Sequence, residues 1–244
     1  MAGTTINDEI YDNNFMKSVP LVFSAYIEAF KTAGISLSYK EINECRGRNK
    51  KEVIRDKIAK YRNDLSIDDQ LSLVDVLLNK FINHLLKNIE YIKEIPGTSE
   101  VFRYLKTLNF FVAVGSGFPY KVIVEIIEKL GWKKNNLIDY FTCGELVGGG
   151  RPRPNMINDV LIEAGYLSNK IDISRPIKDF DYSIILKIGD TVKDMEEAKK
   201  VGAYGLGVLT GTHNKKDLEN VVGKNRVIQS IQYLPIYLKK NNFL

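Results

Sequence analysis

The strongest constraint on the fold is the regular alternation of short apolar segments with amphipathic segments after residue 94. "FFVAV" at 110–114 has the length and composition of a buried strand, and "YKVIVEIIEKLG" at 120–131 carries apolar residues at helical spacing, with Gly131 expected to end the helix. Such alternation predicts a parallel sheet with helices on both faces. Further strands are predicted at 138–143, 183–188, 204–209 and 226–229, and further helices at 155–165, 191–202, 215–222 and the C-terminus.

The preceding part of the chain has a different pattern. From about Phe15 to Ile92 the sequence predicts helices only, with no strand-like run. Leu77, Phe81 and Leu85 recur at four-residue steps, which is typical of an amphipathic helix. Ser66 precedes this helix and is expected to be its N-cap. A separate helical region is therefore expected here.

Composition excludes several classes of protein. The net charge of +5 is spread along the chain, which indicates a solvated surface rather than a nucleic-acid-binding stripe and suits a small anionic substrate. Cys45 and Cys143 have neither metal-ligand spacing nor a disulfide framework. No apolar run reaches the roughly 18 residues of a membrane span. The N-terminus has neither the basic start nor the apolar core of a signal peptide, so a cytoplasmic protein without membrane contact is expected.

Ligands of such sheets bind at the carboxyl ends of the strands, so the residues that follow each strand are the candidates. "GSGF" follows the first predicted strand. Ser116 offers a hydroxyl there, and Gly117 lets the backbone approach an anion at the start of the next helix. The same residues are common in turns, and both interpretations remain open from this segment alone.

"GRPRPN" follows the second of these strands. Arg151 precedes a proline, which restricts its backbone to extended conformations. A guanidinium held in this way is suited to phosphate oxygens, and the alternative is an arginine in a surface ion pair.

"GDTVKD" follows the third strand. Asp190 lies at its tip and Asp194 one helical turn later, so the two carboxylates share a face and suit Mg²⁺. The alternative is that Asp190 or Thr191 only caps the helix. A hydroxyl, a cation and a carboxylate pair after successive strands together indicate phosphoryl transfer.

In the order and spacing of "AGTT", "GSGF", "GRPRPNMI", "KIGDTVKD" and "GVLTGTHN", the chain resembles the haloacid dehalogenase superfamily, and within it the phosphonatase-like branch. The resemblance covers essentially the whole chain. It implies an α/β fold, with a Rossmann-like core of residues 1–13 and 93–244 and an inserted helical cap of residues 14–92. It also implies a Mg²⁺-dependent hydrolase of a small phosphorylated or phosphonate substrate, as a monomer or homodimer.

The resemblance implies roles for individual residues. Ser116 and the Gly117 amide would hold phosphate oxygens, Thr4 would position the phosphoryl group, and Arg151 would stand where most relatives carry lysine. Asp190 and the Ala2 carbonyl would bind Mg²⁺, with Asp194 in support.

The nucleophile of the family is an aspartate at the end of the first strand, in the pattern Asp-x-Ala-Gly-Thr. Met1 occupies the position of x and Ala2 that of Ala, so the aspartate is expected one residue before Met1. That strand is central to the sheet of the family. The first hypothesis is therefore an enzyme whose preceding codons encode an apolar run ending in Asp. The second is a non-catalytic relative that binds a phosphorylated ligand.

The cap carries a second comparison. "GRNKKEVI" at 47–54, which includes Arg48, resembles the loop that sets specificity, and Lys50 aligns with the lysine that forms a Schiff base in the phosphonatases. Val53 and Asn155 stand where those enzymes carry histidine and tryptophan. The polar surroundings of Lys50 predict an exposed side chain, which disfavours carbon–phosphorus cleavage. A further candidate, His213, either contacts substrate or shapes a turn.

Overall fold

The computed structural model describes residues 1–12, 16–45 and 48–244. Near the N-terminus, β1 (Ile6–Asn7) pairs antiparallel with β4 (Lys93–Glu94), which joins the two ends of the intervening region. A second antiparallel pair forms between β2 (Glu9–Asp12) and β3 (Lys17–Pro20), with Ile10 opposite Val19.

Helices fill most of the region from residue 21 to residue 87. Tyr26 and Phe81 lie in the buried contact between the first and the last of them, with ring centroids 4.7 Å apart. The Ser66 side chain accepts a hydrogen bond from the amide of Asp69, which confirms Ser66 as an N-cap. The helices are α1 (Leu21–Lys31), α2 (Tyr39–Asn43), α3 (Lys50–Tyr61) and α4 (Ile67–Lys87), followed by a 3₁₀ turn (Ile89–Tyr91).

The prediction of helices only from Phe15 onward was wrong, because β3 lies in this region. In this four-residue strand two exposed residues precede two buried ones, so the sequence contains no alternating pattern. Its last residue, Pro20, has extended dihedral angles and directly precedes α1. Phe15 and residue 14, where the predicted cap begins, lie outside the described residues, and the domain boundaries stay a prediction.

The rest of the chain alternates between helices and strands as expected. Gly131 ends its helix in the left-handed conformation with a φ of 67°, as predicted. The elements are α5 (Thr98–Thr107), β5 (Ala113–Ser116), α6 (Tyr120–Leu130), β6 (Tyr140–Cys143), α7 (Asn155–Glu163), β7 (Leu186–Gly189), α8 (Val192–Val201), β8 (Tyr204–Val208), α9 (Lys215–Val222), β9 (Val227–Ile228) and α10 (Leu234–Lys240), with 3₁₀ turns at Tyr182–Ile184 and Ile231–Tyr233.

The first predicted strand of this part is displaced toward the C-terminus. Pairing between β5 and β6 begins at Ala113 opposite Tyr140, and the carboxylate of Asp139 accepts a hydrogen bond from the amide of Val112 just before it. Phe111 lies outside the strand and is exposed. Ser116 is consequently the last residue of a paired strand rather than part of a loose turn.

The parallel strands form two separate sheets. One contains β5 and β6, and the other contains β7, β8 and β9 in that order. Within the described ranges, no strand pairs with the second edge of β5 or of β7. An apolar cavity of about 420 Å³ lies between these edges, with Val114 on one side and Ile188 on the other.

The expectation of a central strand before Met1 stays a prediction. The two sheets, the helices around them and the helical region form a Rossmann-like α/β core with a helical cap. Among the residues that the structure describes, no helix combines the length and apolar character that crossing a membrane requires.

Candidate functional site

A tight turn at the N-terminus holds the first of the candidate residues. The carbonyl of Met1 accepts hydrogen bonds from the amides of Thr4, Thr5 and Ile6. Gly3 takes a φ of 74° in this turn, which favours glycine. The turn directs the Thr4 hydroxyl to Asp190, 186 residues away, and it donates to Oδ1 at 2.8 Å. Two sequence-predicted residues are therefore in direct contact.

Asp190 follows β7 directly, and its side chain is packed against backbone. A Cβ atom at Gly211 would lie 1.9 Å from Asp190 Oδ2, and one at Gly3 would lie 2.4 Å from the same atom. Glycine is required at both positions because any side chain would displace the carboxylate. The hydroxyl of Thr210 donates to the carbonyl of Gly3 at 2.6 Å and holds the two glycine-containing segments together.

Thr191 and Asp194 form the capping box of α8. The Thr191 hydroxyl donates to Asp194 Oδ2 at 2.5 Å and accepts a hydrogen bond from the amide of Asp194 at 3.2 Å. The capping alternative thus applies to Thr191 rather than to Asp190. The other oxygen of Asp194, Oδ1, lies 2.9 Å from Arg151 Nε. Burial raises the pKa of Asp194, but the charges of Arg151 and Lys187 lower it overall to about 2.

Arg151 is buried, which contradicts the alternative of a surface ion pair. Its Nη2 donates to the carbonyl of Gly115 at 2.9 Å, and its Nε lies 3.3 Å from Glu197 Oε2. Burial lowers the pKa of Arg151, but Asp194, Glu197 and Asp190 raise it overall. The guanidinium is therefore a fixed positive charge beside the strand ends.

Ser116 and Gly117 lie at the end of β5. Ser116 is 3% exposed, and its hydroxyl accepts a hydrogen bond from the amide of Phe118 at 3.1 Å. This hydrogen bond is the turn function that the sequence left open, and the hydroxyl retains its proton for a second acceptor. Both residues line a small cavity of about 50 Å³ together with Ala2, Arg151, Asp190, Thr191, Asp194, Met1, Val22, Lys50 and Phe118.

Lys50 also lines this small cavity, so the prediction that it is exposed was wrong. It is only 6% exposed, and its Nζ lies 5.9 Å from the ring centroid of Tyr26 and 6.0 Å from that of Phe118. Asn49 caps α3, and the first residue of that helix points into the molecule. The burial results from packing of the helical region on the core, which a local sequence pattern does not reveal. Gly47, in the same loop, lies outside the described residues.

Two other candidates do not line the small cavity. Arg48 donates from Nη2 to Asp56 Oδ2 at 2.5 Å within the helical region. His213 is half-buried in a bend after β8, and its Nδ1 has no hydrogen-bond partner among the described residues. Their roles toward substrate stay predictions.

Close contact between the helical region and the core occurs at two glycines. A Cβ at Gly150 would lie 2.9 Å from the backbone nitrogen of Asn49, and one at Gly144 would lie 3.0 Å from Asn49 Nδ2. Arg153 and Glu52 form an ion pair at 3.3 Å beside this contact. The loop before α7 therefore supports the start of α3 and, with it, Lys50.

Sequence reasoning missed two charged residues of the site. Lys187 lies in β7, with Nζ 2.9 Å from Glu197 Oε2, and Glu197 on α8 is completely buried. A single lysine in the otherwise apolar segment "SIILKI" was the signal available for Lys187. Glu197 lies one helical turn after Asp194, on the same face of α8.

Comparisons with known proteins agree on the type of molecule. A family model described as haloacid dehalogenase-like hydrolase matches residues 11–208. A phosphonoacetaldehyde hydrolase from Latilactobacillus sakei is 27% identical over 195 residues, which cover 76% of this chain and 67% of the relative. Another, from Bacteroides fragilis, is 23% identical over 251 residues, which cover 90% of this chain and 89% of the relative.

Solved structures share the fold. A hydrolase from Pseudomonas syringae superimposes with a TM-score of 0.72 at 21% identity, over 98% of this chain and 95% of the other. A phosphonoacetaldehyde hydrolase-like protein from Oleispira antarctica gives a TM-score of 0.70 at 19% identity, over 99% of this chain and 90% of the other.

Proposed function

Because the chain belongs to the haloacid dehalogenase-like hydrolase family, we propose that it is a Mg²⁺-dependent phosphohydrolase of a small phosphorylated metabolite. The observation that carries this proposal is the convergence of Ser116, Arg151 and Asp190 on one small cavity, with the Thr4 hydroxyl hydrogen-bonded to Asp190. The Ser116 hydroxyl, the Gly117 amide and the Arg151 guanidinium supply hydrogen-bond donors and positive charge for phosphoryl oxygens. These four side chains come from separate segments, so their convergence is a property of the fold.

The nucleophile of this reaction is an aspartate expected immediately before Met1. Met1 and Arg151 line both the small cavity and the apolar cavity between β5 and β7. A strand that ran through the apolar cavity parallel to its neighbours would therefore end beside Ser116 and Asp190. In the proposed reaction a carboxylate oxygen attacks phosphorus, and the bond from phosphorus to the leaving oxygen breaks. Water then hydrolyses the aspartyl phosphate and regenerates the carboxylate.

The donor set around the small cavity fits Mg²⁺ in part. Asp190 and the Ala2 carbonyl would supply hard oxygen ligands, and the nucleophile would supply a third. Asp194 is already paired with Arg151 and Thr191, so it would act by fixing the charge around the cation. Within residues 1–12, 16–45 and 48–244, no group of three His, Cys, Asp or Glu side chains forms a metal site. Bound Mg²⁺ would neutralise charge on the phosphoryl oxygens.

The test is to express the chain from its in-frame upstream codons and to screen small phosphate esters with Mg²⁺. We expect turnover that is lost on Asp190→Ala and on Asp→Asn substitution of the residue before Met1. A stop codon or a polar segment upstream, or turnover unaffected by Asp190→Ala, would refute the proposal. Phosphate binding without turnover in both forms would support the non-catalytic alternative.

The burial of Lys50 favours a second candidate, phosphonoacetaldehyde hydrolysis. Its Nζ would attack the aldehyde carbon and release water to form an imine. The C–P bond would then break, with its electron pair going to carbon and phosphorus going to the aspartate. The two curated relatives described above carry this activity in their names. Val53 and Asn155 differ from the residues of the phosphonatases, which is why this remains the second candidate.

Borohydride trapping with phosphonoacetaldehyde tests this candidate directly. We expect a reduced adduct on Lys50 that disappears in Lys50→Arg. The matched control is Lys51→Arg, because Lys51 is exposed and forms an ion pair with Asp75 at 2.9 Å. Equal trapping in both variants, or none in the unchanged protein, would contradict Schiff-base chemistry at Lys50.

A further inference from the structure

Two cations and two carboxylates form a compact cluster beside the small cavity, in which Arg151, Asp194 and Glu197 are buried and Lys187 is partly buried. Arg151 Nε contacts Asp194 Oδ1 at 2.9 Å and Glu197 Oε2 at 3.3 Å. Lys187 Nζ contacts the same Glu197 oxygen at 2.9 Å and lies 3.9 Å from Asp194 Oδ1. The formal charges of these four side chains cancel. Such balance is needed because an unpaired charge in this environment is strongly destabilising.

The cluster fixes the orientation of the guanidinium. Nε is directed to the two carboxylates and Nη2 to the Gly115 carbonyl, so the plane of the group is defined at two points. Among the described residues, no hydrogen bond involves the third nitrogen, Nη1. That nitrogen therefore remains available to an anion in the small cavity, which Arg151 lines.

Lys187 contacts the same oxygen of Glu197 as Arg151 does. A Cβ atom at Gly115 would lie 3.4 Å from Arg151 Nη2 and 3.9 Å from Lys187 Nζ, so both cations reach the end of β5. Without Lys187, the guanidinium alone would have to balance both Asp194 and Glu197. With Lys187 present, Glu197 is balanced locally, and Arg151 keeps its charge for a bound anion.

We propose that Lys187 and Glu197 are positioning residues that hold Arg151 for phosphate binding. This inference rests on the proposed function, since it takes Arg151 as a phosphate ligand. Its closing experiment measures binding rather than turnover, so it does not depend on the nucleophile. The two residues act through Arg151 and do not line the small cavity themselves.

The experiment is a double-mutant cycle read by calorimetric binding of inorganic phosphate in the presence of Mg²⁺. Lys187→Met leaves Arg151 alone to balance two carboxylates, and Glu197→Gln removes one of the two carboxylates that orient its Nε. We expect each variant to weaken phosphate binding about tenfold or more. The double variant restores neutrality, so it should bind more tightly than Lys187→Met, but it should bind more weakly than the unchanged protein because Arg151 has lost part of its support. Lys187→Arg keeps the charge and should retain the affinity of the unchanged protein.

A matched control pair lies on the same helix. Lys193 and Glu196 on α8 form a partly exposed ion pair at 2.7 Å, and Lys193→Met and Glu196→Gln should leave phosphate affinity unchanged. Single variants of Lys187 or Glu197 that lose stability but bind phosphate like the unchanged protein would overturn the proposal. If those single variants do not fold, the neutral double variant and Lys187→Arg test the proposal instead. The proposal is overturned if the double variant binds phosphate as tightly as the unchanged protein, or if Lys187→Arg loses phosphate affinity.

Failure of the proposed function has a separate signature. If the unchanged protein does not bind phosphate at all, Arg151 is not a phosphate ligand, and both proposals are overturned together. If phosphate binds but no ester is turned over, the role of Lys187 and Glu197 is still decided by the cycle.

Discussion

Filling the cavity between β5 and β7 with a strand should stabilise the protein strongly. The perturbation is a six-residue N-terminal extension, five apolar β-branched residues followed by Asp, fused directly before Met1. The cavity measures about 420 Å³. At about 24 cal/mol per Å³ of void, closing it is worth at most about 10 kcal/mol.

Two further contributions change this gain in the free energy of unfolding: the entropy of ordering the extension lowers it, and new backbone hydrogen bonds raise it. Ordering six backbone residues costs about 9 kcal/mol, taking 1.5 kcal/mol for each. Hydrogen bonds to the unpaired edges of β5 and β7 return about 1 kcal/mol each. With about four such bonds we expect a net gain of about 5 kcal/mol, seen as a rise of more than about 1 M in the urea midpoint.

The control is an extension of the same length made of glycine and serine. It adds a chain of the same length but no apolar side chains, so its midpoint should equal that of the unextended chain well above pH 8, where the Met1 amine is neutral in both the folded and the unfolded state. Equal midpoints for the apolar and the Gly/Ser extensions would refute the idea that the cavity accepts a strand. An Asp→Asn version of the apolar extension should keep the stability and lack turnover.

A pH signature accompanies the same experiment. Burial, together with repulsion from Arg151, lowers the pKa of the Met1 amino group from 8.0 to about 6. Between pH 6 and 8 the unfolded chain therefore binds more protons than the folded one, and stability rises with pH by up to about 2.7 kcal/mol. The extension converts this amine to an amide, so the rise should vanish. Unfolding curves on protein whose Met1 is confirmed by mass spectrometry measure it.

Three further outcomes are expected. Gly211→Ala should displace the carboxylate of Asp190 and reduce Mg²⁺-dependent turnover about 100-fold or more. Circular dichroism should show that the variant stays folded, and full activity would contradict the close packing of Asp190 against Gly211. Because the pKa of Asp194 is lowered to about 2, its stabilising contribution is present above pH 3.8 and is lost as pH falls toward 2, so Asp194→Asn should flatten acid unfolding in that window. Burial lowers the pKa of His84, whose Nε2 lies 2.9 Å from Ser24 Oγ, so stability should fall below pH 6.5 and His84→Gln should remove that dependence in urea titrations.

Sequence patterns predicted the elements that depend on local chemistry. Gly131 ends a helix because only glycine takes the left-handed conformation cheaply, and Thr191 begins one because its hydroxyl satisfies a free amide. The strand-end residues Ser116, Arg151 and Asp190 were found because parallel strands bring their carboxyl ends to one edge.

What the sequence did not reveal depends on contacts between distant segments. The polar sequence around Lys50 predicts an exposed side chain, but Lys50 is buried because α3 packs against the loop that contains Gly150. The charged sequence of its helix predicts that Glu197 lies on the surface. Glu197 is buried instead, where Lys187 and Arg151 from two other segments pair with it. The antiparallel pair of β2 and β3 was missed because four residues give too short a pattern.

The contact of Asn49 with Gly144 and Gly150 has a consequence for substrate size. At this contact the distance between cap and core is limited by bare backbone, since neither glycine carries a side chain. A single methyl group at position 150 would hold α3 away from the strand ends and withdraw Lys50 from the small cavity. If the cavity binds the proposed substrate, we expect it then to admit larger substrates, and water with them. A change of substrate size would therefore require no substitution of the residues that we propose to bind phosphate.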